Sequence, residues 1–75
     1  MSYRFFIDSD LEQNSQIQME RGEYAEELKH MWKSLRLGAG ARLSLVNGRG
    51  LEASVEILSI DSHHANFQIL EVCSL

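Results

Sequence analysis

The clearest pattern of apolar positions lies between residues 23 and 36. Apolar side chains recur there at spacings of four, three, one and three residues, which places them on one face of an α-helix. These residues are Tyr24, Leu28, Met31, Trp32 and Leu35. We expect Gly22 to cap the helix and Gly38 and Gly40 to end it. The pattern predicts one α-helix at about residues 23–36, with Trp32 on the face that enters the core.

Short strands are predicted on both sides of this helix. Residues 4–8 and 16–19 form two strand patterns separated by a polar stretch of turn composition. Residues 42–60 alternate apolar and polar side chains around a central turn, which is typical of a β-hairpin. A turn at residues 61–64 then precedes a last strand at residues 65–69.

The hairpin turn contains residues suited to a tight reversal. Asn47, Gly48 and Gly50 favour positive φ angles, because glycine has no Cβ and asparagine tolerates the left-handed region. Leu58 and Ile60 change parity, which indicates a bulge or the end of the strand. Five strands and one helix between the second and third strands predict a mainly-β fold, a small antiparallel barrel closed by the helix.

Length and composition are those of one small globular domain. The chain has 75 residues, of which 44% are apolar, enough for a thin packed core. The lone Cys73 excludes an internal disulfide, and no apolar run is long enough for a signal peptide or a membrane span. We therefore expect a cytoplasmic protein. Residues 67–75 stay apolar to the last position, which suggests that more protein follows.

Charge is distributed unevenly along the chain. The formal net charge is −4, yet residues 28–51 contain no acid and carry five of the seven Lys and Arg residues: Lys29, Lys33, Arg36, Arg42 and Arg49. Lys29, Lys33 and Arg36 line one side of the predicted helix, and Arg49 projects from the hairpin tip. Two interpretations remain open, a weak and salt-sensitive phosphate-binding surface or a solvated helix face.

No catalytic or metal-binding constellation is present. The three His residues and Cys73 lack the spacing of a zinc site, and no serine or cysteine lies in a nucleophile motif. The paired glycines at residues 38–40 and 48–50 follow a helix and join two strands, so neither is a mononucleotide loop. Trp32 could stack on bases, but its position on the apolar face favours the core.

An ordered series of short motifs carries a family resemblance. The series comprises Arg4-Phe5-Phe6, a helix end with His30 and Ser34-Leu35-Arg36, then Gly40, and a hairpin at residues 45–50. Its order and spacing resemble the amino-terminal domain of the RsmE family, bacterial methyltransferases that modify N3 of a uridine in small-subunit ribosomal RNA. The resemblance covers roughly residues 3–72.

The resemblance implies a division of labour between two domains. It implies that residues 1–75 form a single PUA-like β-barrel that binds RNA and has neither catalytic residues nor a cofactor site. A carboxyl-terminal SPOUT domain, absent from this chain, would bind S-adenosylmethionine, dimerise and transfer the methyl group. The implied partners are ribosomal RNA or the small ribosomal subunit, the catalytic domain and, for the full-length protein, a second copy.

Matching positions identify candidate RNA contacts. The resemblance and, for Lys33, its charge assign RNA binding to six residues: Arg4, His30, Lys33, Arg36, Asn47 and Arg49. Three departures from the family pattern stand out: Lys29 replaces a histidine, Ser34 a valine and Ala41 an acid. Substrate choice could therefore differ from that of the family.

Two functional hypotheses follow. The first is an RNA-recognition domain that positions ribosomal RNA for methylation by the absent catalytic domain. The second is a protein-interaction or assembly module that packs on a catalytic domain or a second subunit, which the thin core and apolar ends favour. The sequence gives no nucleophile, base and orienting group for an enzyme acting alone.

Overall fold

The computed structural model describes residues 3–74. Its elements follow one another as β1 (Arg4–Phe6), β2 (Gln16–Glu20), α1 (Arg21–Lys29), a π-helical turn (His30–Ser34), β3 (Arg42–Val46), β4 (Leu51–Ile60) and β5 (His64–Ser74). The predicted mainly-β fold, with five strands and the helix between the second and third, is confirmed. Among these residues, no helix has the length and apolar character that crossing a membrane requires.

All five strands join one sheet in the order β1-β3-β4-β5-β2, curled into a half-barrel. Neighbouring strands are antiparallel except β1 and β3, which pair in parallel with Phe5 opposite Leu45. A parallel pair needs a long crossover connection, and here β2 and the helix supply it. The half-barrel leaves β1 and β2 as its edges.

The concave face of the sheet and the helix enclose the core. Phe67 and Ile57 lie opposite each other on β5 and β4 and are completely buried, which stabilises the fold by about 2 kcal/mol for each side chain. Register shifts occur after Ser54 and between Ile57 and Ser59, so Leu58 is an extra residue and faces outward, 40% exposed. Of the two predicted explanations for this change of parity, a bulge or the end of the strand, the bulge is confirmed, because β4 continues to Ile60.

The helix begins differently from the prediction. Gly22 is not its cap, since α1 starts at Arg21 directly after β2 and no side chain caps it. The backbone N–H of Arg21 instead donates to the carbonyl of His63 at 2.8 Å. Tyr24 has non-helical angles and kinks the helix, and its hydroxyl accepts the backbone N–H of Asp8 at 2.8 Å. Contacts with two loops therefore fix the start of the helix.

A π-helical turn replaces the predicted last α-helical turn. The N–H of Leu35 donates to the carbonyl of His30, five residues earlier, at 2.9 Å. Met31 occupies the core and is fully buried, whereas Trp32 is 41% exposed. The prediction that Trp32 is a core residue is wrong, because in the wider turn only one of these two adjacent apolar side chains reaches the core.

The helix also ends earlier than predicted. Arg36 has a φ of 53°, in the left-handed region, and the N–H of Leu37 donates to the carbonyl of Met31 at 2.9 Å. These features reverse the chain before Gly38 and Gly40, which were expected to end the helix. Gly40, with a φ of 90°, instead belongs to the turn that leads into β3.

Candidate nucleic-acid interface

Trp32 forms the shared wall of two neighbouring grooves at the end of the helix. One groove is lined by Arg21, Leu28, Lys29, Trp32, Lys33 and Ser62. The other is lined by Trp32, Lys33, Arg36 and Leu37. Four cations thus surround one exposed aromatic side chain. We call this the cationic surface, comprising Arg21, Lys29, Trp32, Lys33 and Arg36.

The cations of the cationic surface are not paired with acids in the described part of the chain, although Lys29 also lines a groove that contains Glu26 and Glu27. Within residues 3–74, none of its Lys or Arg side chains forms an ion pair, and all four are exposed. Lys29 and Lys33 also lie where the negative end of the helix dipole favours cations. The helix dipole therefore stabilises these cations, but it leaves their side chains free to contact another molecule. The surface remains available to an anionic ligand.

Backbone strain coincides with this surface. Arg36 adopts a left-handed φ that costs a non-glycine residue about 1–2 kcal/mol. The position directly after a helix end is one where glycine is strongly preferred. Strained backbone and π-helical turns both occur often at functional sites. Arginine at this strained position therefore indicates that its side chain has a function that offsets the cost of the backbone strain.

Arg49 is bound within the fold. Its guanidinium donates to Asp8 at 2.9 Å and to Asp10 at 2.8 Å, so the β3–β4 hairpin is tied to the loop after β1. The hydrogen bond to Asp8 and the negative charges of both carboxylates raise the pKa of Arg49. Arg49 projects from the hairpin tip as predicted, with 52% of its side chain exposed, but its guanidinium is paired with two carboxylates that are distant in sequence.

Two further cations on the sheet also have acidic partners. The Nε of Arg4 lies 2.9 Å from a carboxylate oxygen of Glu52, and that of Arg42 lies 3.7 Å from Glu56. The pair of Arg42 and Glu56 joins directly opposite residues of the neighbouring strands β3 and β4, whereas the pair of Arg4 and Glu52 reaches from β1 across β3 to β4. Arg4, a predicted RNA contact, is therefore partly neutralised.

Asn47 organises the hairpin turn from inside. It is only 3% exposed, and its side-chain oxygen accepts the N–H groups of Arg49 at 2.9 Å and Leu51 at 3.3 Å. Gly48 and Gly50 supply the predicted positive φ angles, and Asn47 does not. The burial of Asn47 and its two hydrogen bonds within the turn indicate a structural role rather than contact with RNA.

His30 lines a third groove, together with Phe5, Glu26, Glu27, Lys29 and Ser34. Its ring meets that of Phe5 edge to face, with centroids 5.8 Å apart and planes at 81°. Two glutamates give this groove a mixed charge. His30 is thus accessible, but it does not line the two grooves that flank Trp32.

The turn between β4 and β5 forms one rim of the cationic surface through Ser62. One carboxylate oxygen of Asp61 accepts the N–H groups of His63 at 2.7 Å and His64 at 3.0 Å. These bonds, from His63 foremost, hold the pKa of Asp61 below its ordinary value.

In the part of the chain that the structure describes, no three His, Cys, Asp or Glu side chains cluster to hold a metal ion.

The structure brings together only part of the predicted site. Lys33 and Arg36 share a groove, whereas the other predicted contacts are paired, buried or placed beside acids. Sequence reasoning missed Trp32 and Arg21 as members of the surface. The sequence did contain a sign that Trp32 is exposed. Met31 and Trp32 are adjacent, and adjacent residues of a helix point in different directions, so both cannot lie at the centre of the face that packs on the core. Arg21 had no local signal, because a tertiary contact places it there.

Comparisons with known proteins agree with this fold. A family model described as the RNA methyltransferase PUA domain matches residues 24–70, well over half of the chain. Among proteins with curated functional descriptions, none matches the sequence.

Solved structures similar to this chain share its fold. A protein described as a methyltransferase, from Legionella pneumophila with bound SAM, is 19% identical with a TM-score of 0.85, and the match covers 100% of this chain and 29% of that one. Ribosomal RNA small subunit methyltransferase E from Neisseria gonorrhoeae, bound to S-adenosyl methionine, is 18% identical with a TM-score of 0.82, and the match covers 97% and 29%. A probable rRNA-methyltransferase from Porphyromonas gingivalis is 26% identical with a TM-score of 0.74, and the match covers 97% and 28%.

This chain therefore spans less than a third of the length of each of these proteins. The match to the family model covers the helix from its kink at Tyr24, the π turn, the segment after it and most of the last three strands, so it includes Trp32, Lys33 and Arg36. The chain belongs to the RNA methyltransferase PUA domain family.

Proposed function

We propose that the chain is the RNA-binding domain of a ribosomal RNA uridine-N3 methyltransferase and that its cationic surface contacts the RNA backbone. The observation that carries this proposal is the set of unpaired cations at the helix end of a domain from an RNA methyltransferase family. The similar fold of a small-subunit rRNA methyltransferase from Neisseria gonorrhoeae supports ribosomal RNA as the substrate class.

Lys33 and Arg36 are the central contacts in this proposal. Both line the groove beside Trp32, and Arg36 can hold one phosphate with two parallel N–H bonds, which Lys33 cannot do. Lys29 and Arg21 extend the positive charge along the neighbouring groove. His30 lies on the adjacent side of the helix and is a peripheral contact.

The proposed role is positioning rather than chemistry. We assign methyl transfer and S-adenosylmethionine binding to a carboxyl-terminal SPOUT domain that also dimerises, in a cytoplasmic full-length protein. Residues 1–75 would form the single RNA-binding domain. Binding energy gained on the cationic surface would orient the target uridine toward that catalytic domain.

Charge reversal tests the proposal. Lys33→Glu and Arg36→Glu each replace an unpaired cation by an acid, so each should weaken binding of a structured small-subunit rRNA fragment about 10-fold or more at low salt. Each reversal should also reduce the slope of log affinity against log salt concentration by about 0.7 to 0.9. Fluorescence anisotropy of labelled RNA at several salt concentrations measures both quantities.

Arg42→Glu is the matched control. It makes the same change in net charge on an exposed strand residue that already has an acidic neighbour, Glu56. Its effect on affinity should be much smaller. If all three reversals weaken binding equally, overall charge and not the cationic surface governs binding. If the unmodified chain binds no RNA at low salt, the proposed function is wrong.

A second function is favoured by a different surface. Tyr3 and Phe6, at the β1 edge of the sheet, are exposed aromatic residues. An edge strand with apolar side chains is suited to packing against another domain, which supports an assembly role. Tyr3→Ser with Phe6→Ser should then abolish association with a catalytic domain supplied separately while RNA affinity is retained. Unchanged association would exclude this surface.

A further inference from the structure

We propose that Trp32 is a stacking platform for an unpaired nucleobase, so that the cationic surface recognises single-stranded or bulged RNA rather than duplex. This inference rests on the proposed RNA-binding function and specifies the form of RNA that the surface takes. In this arrangement the base stacks on the indole, and cations in both neighbouring grooves contact the phosphates before and after it.

The exposure of Trp32 is the first argument. A tryptophan within an apolar helical pattern gains much by entering the core, yet it is Met31 that is fully buried there while Trp32 is 41% exposed. The π turn that begins at His30 accompanies this choice. The fold thus leaves much of a large aromatic side chain at the surface.

The surroundings of Trp32 are the second argument. Single-stranded nucleic acids are bound by positively charged grooves whose aromatic side chains stack on the bases. Trp32 has such grooves on both sides, with Lys29 in one, Arg36 in the other and Lys33 in both. Inside a duplex the stacked neighbouring base pairs cover both faces of each base, so an indole stacks more readily on an unpaired and unstacked base.

Other exposed apolar side chains do not share this setting. Phe6 covers the hairpin turn, where its ring edge lies 3.0 Å from the position that a Cβ on Gly48 would occupy. Leu58 is the extra residue of a bulge, and Tyr3 lies beside β1. Among the four large exposed apolar residues within residues 3–74, Trp32 is the one that lines grooves together with unpaired cations.

Trp32 is the single tryptophan of the chain, so its own fluorescence reports on its contacts. Three probes of about eight residues cover the usual length of a single-strand site. They are an oligouridylate, an RNA duplex and an abasic ribose-phosphate strand. We expect saturable quenching of Trp32 by the oligouridylate, and weak or absent quenching by the duplex and the abasic strand.

Substitutions of Trp32 distinguish aromatic stacking on a base from simple apolar contact with it. Trp32→Ala should weaken binding of labelled oligouridylate about 10-fold, or about 1.4 kcal/mol, within the range for one base on an aromatic side chain. Trp32→Phe should retain most of the affinity, whereas Trp32→Leu should lose as much as the alanine variant. Leu58→Ala removes an equally exposed apolar side chain, 40% against 41%, and should leave affinity unchanged.

The results distinguish this inference from the function on which it rests. Oligouridylate binding that is unquenched and insensitive to Trp32→Ala, but weakened by Lys33→Glu, overturns stacking and leaves RNA binding intact. Equal quenching by duplex and single strand also overturns it. Absence of RNA binding by the unmodified chain overturns both.

Discussion

The hairpin tip and the helix end carry cations from the same acid-free stretch of sequence but use them differently. At the tip, Arg49 is held by Asp8 and Asp10 from another loop. At the helix end, Lys33 and Arg36 have no acidic partner among residues 3–74. The tip uses its cation to join two loops, and the helix end leaves its cations open to solvent.

The same contrast appears in the backbone. At the tip, glycines occupy the left-handed positions, so the turn forms with little strain. At the helix end, Arg36 occupies such a position although glycine would fit better. We infer that the tip is built for stability and that the helix end gives up some stability for a functional side chain.

The largest effect on stability is expected at the tip. Gly48→Ala places a Cβ at a φ of 70° and 3.0 Å from the ring of Phe6, so the free energy of unfolding should fall by about 1–2 kcal/mol. Urea unfolding measures this change. RNA affinity, measured where the variant is folded, should not change.

Two glycines provide controls for Gly48→Ala. Gly50→Ala has the same backbone strain at a φ of 88° but meets no atom within 4 Å, so it should cost less. Gly38→Ala has neither strain nor contact and should be neutral or slightly stabilising. Equal effects at all three positions would contradict the account of the tip.

At the helix end, a substitution should have opposite effects on stability and binding. Arg36→Gly removes the left-handed strain, and after the greater entropy of glycine in the unfolded chain the net gain should be about 0.5–1 kcal/mol. The same change removes a cation beside Trp32, so RNA affinity should fall by about 3- to 10-fold. Urea unfolding and RNA anisotropy measure the two effects.

Arg36→Ala separates the two effects, because it removes the charge but keeps a Cβ in the left-handed region. It should weaken RNA binding as much as Arg36→Gly without stabilising the fold. If Arg36→Gly leaves RNA affinity intact, the strained arginine has no role in binding, and the contrast with the tip disappears.

The strands and the hairpin followed from local pattern. Alternation in residues 42–46, 51–57 and 65–69 is confirmed, because a period of two positions each side chain toward or away from the core regardless of distant contacts. The π turn was not predictable in this way. Apolar positions in residues 28–35 fit an α-helix, and only packing against the sheet decides whether Met31 or Trp32 is buried.

The candidate site was predicted less completely than the fold. Charge and family pattern identified Lys33 and Arg36 but also assigned Arg4 and Arg49 to the same role. The acids that pair with Arg4 and Arg49 lie 48 and at least 39 residues away in sequence. Local sequence patterns therefore cannot predict these ion pairs. The sequence shows which residues are cationic, whereas only the tertiary structure shows which of them lack an acidic partner and can bind RNA.

Asp61 precedes Ser62 in the β4–β5 turn that borders the cationic surface. Asp61 binds backbone N–H groups of its own turn and leaves the neighbouring cations unpaired. Since its pKa is lowered on folding, its contribution to stability is complete above the unfolded value of about 4 and is lost as pH falls through the lower folded value.

Asp61→Asn keeps an acceptor oxygen but cannot titrate. The difference in urea midpoint between wild type and this variant should therefore be largest near neutral pH and shrink below about pH 4. A constant difference down to pH 3 would contradict this account.

The smallest effect is expected when the charge at the tip is removed. Arg49→Gln deletes exposed ion pairs with Asp8 and Asp10, and such pairs contribute little to stability in water. We expect a small fall in the melting temperature that disappears at about 1 M salt, where the pairs are already screened. RNA affinity should stay within about twofold of wild type, although the same loss of one positive charge at Arg36 weakens binding several-fold. Equal losses of affinity from Arg36→Gln and Arg49→Gln would show that phosphates can displace the two aspartates, and the tip would then belong to the RNA-binding surface.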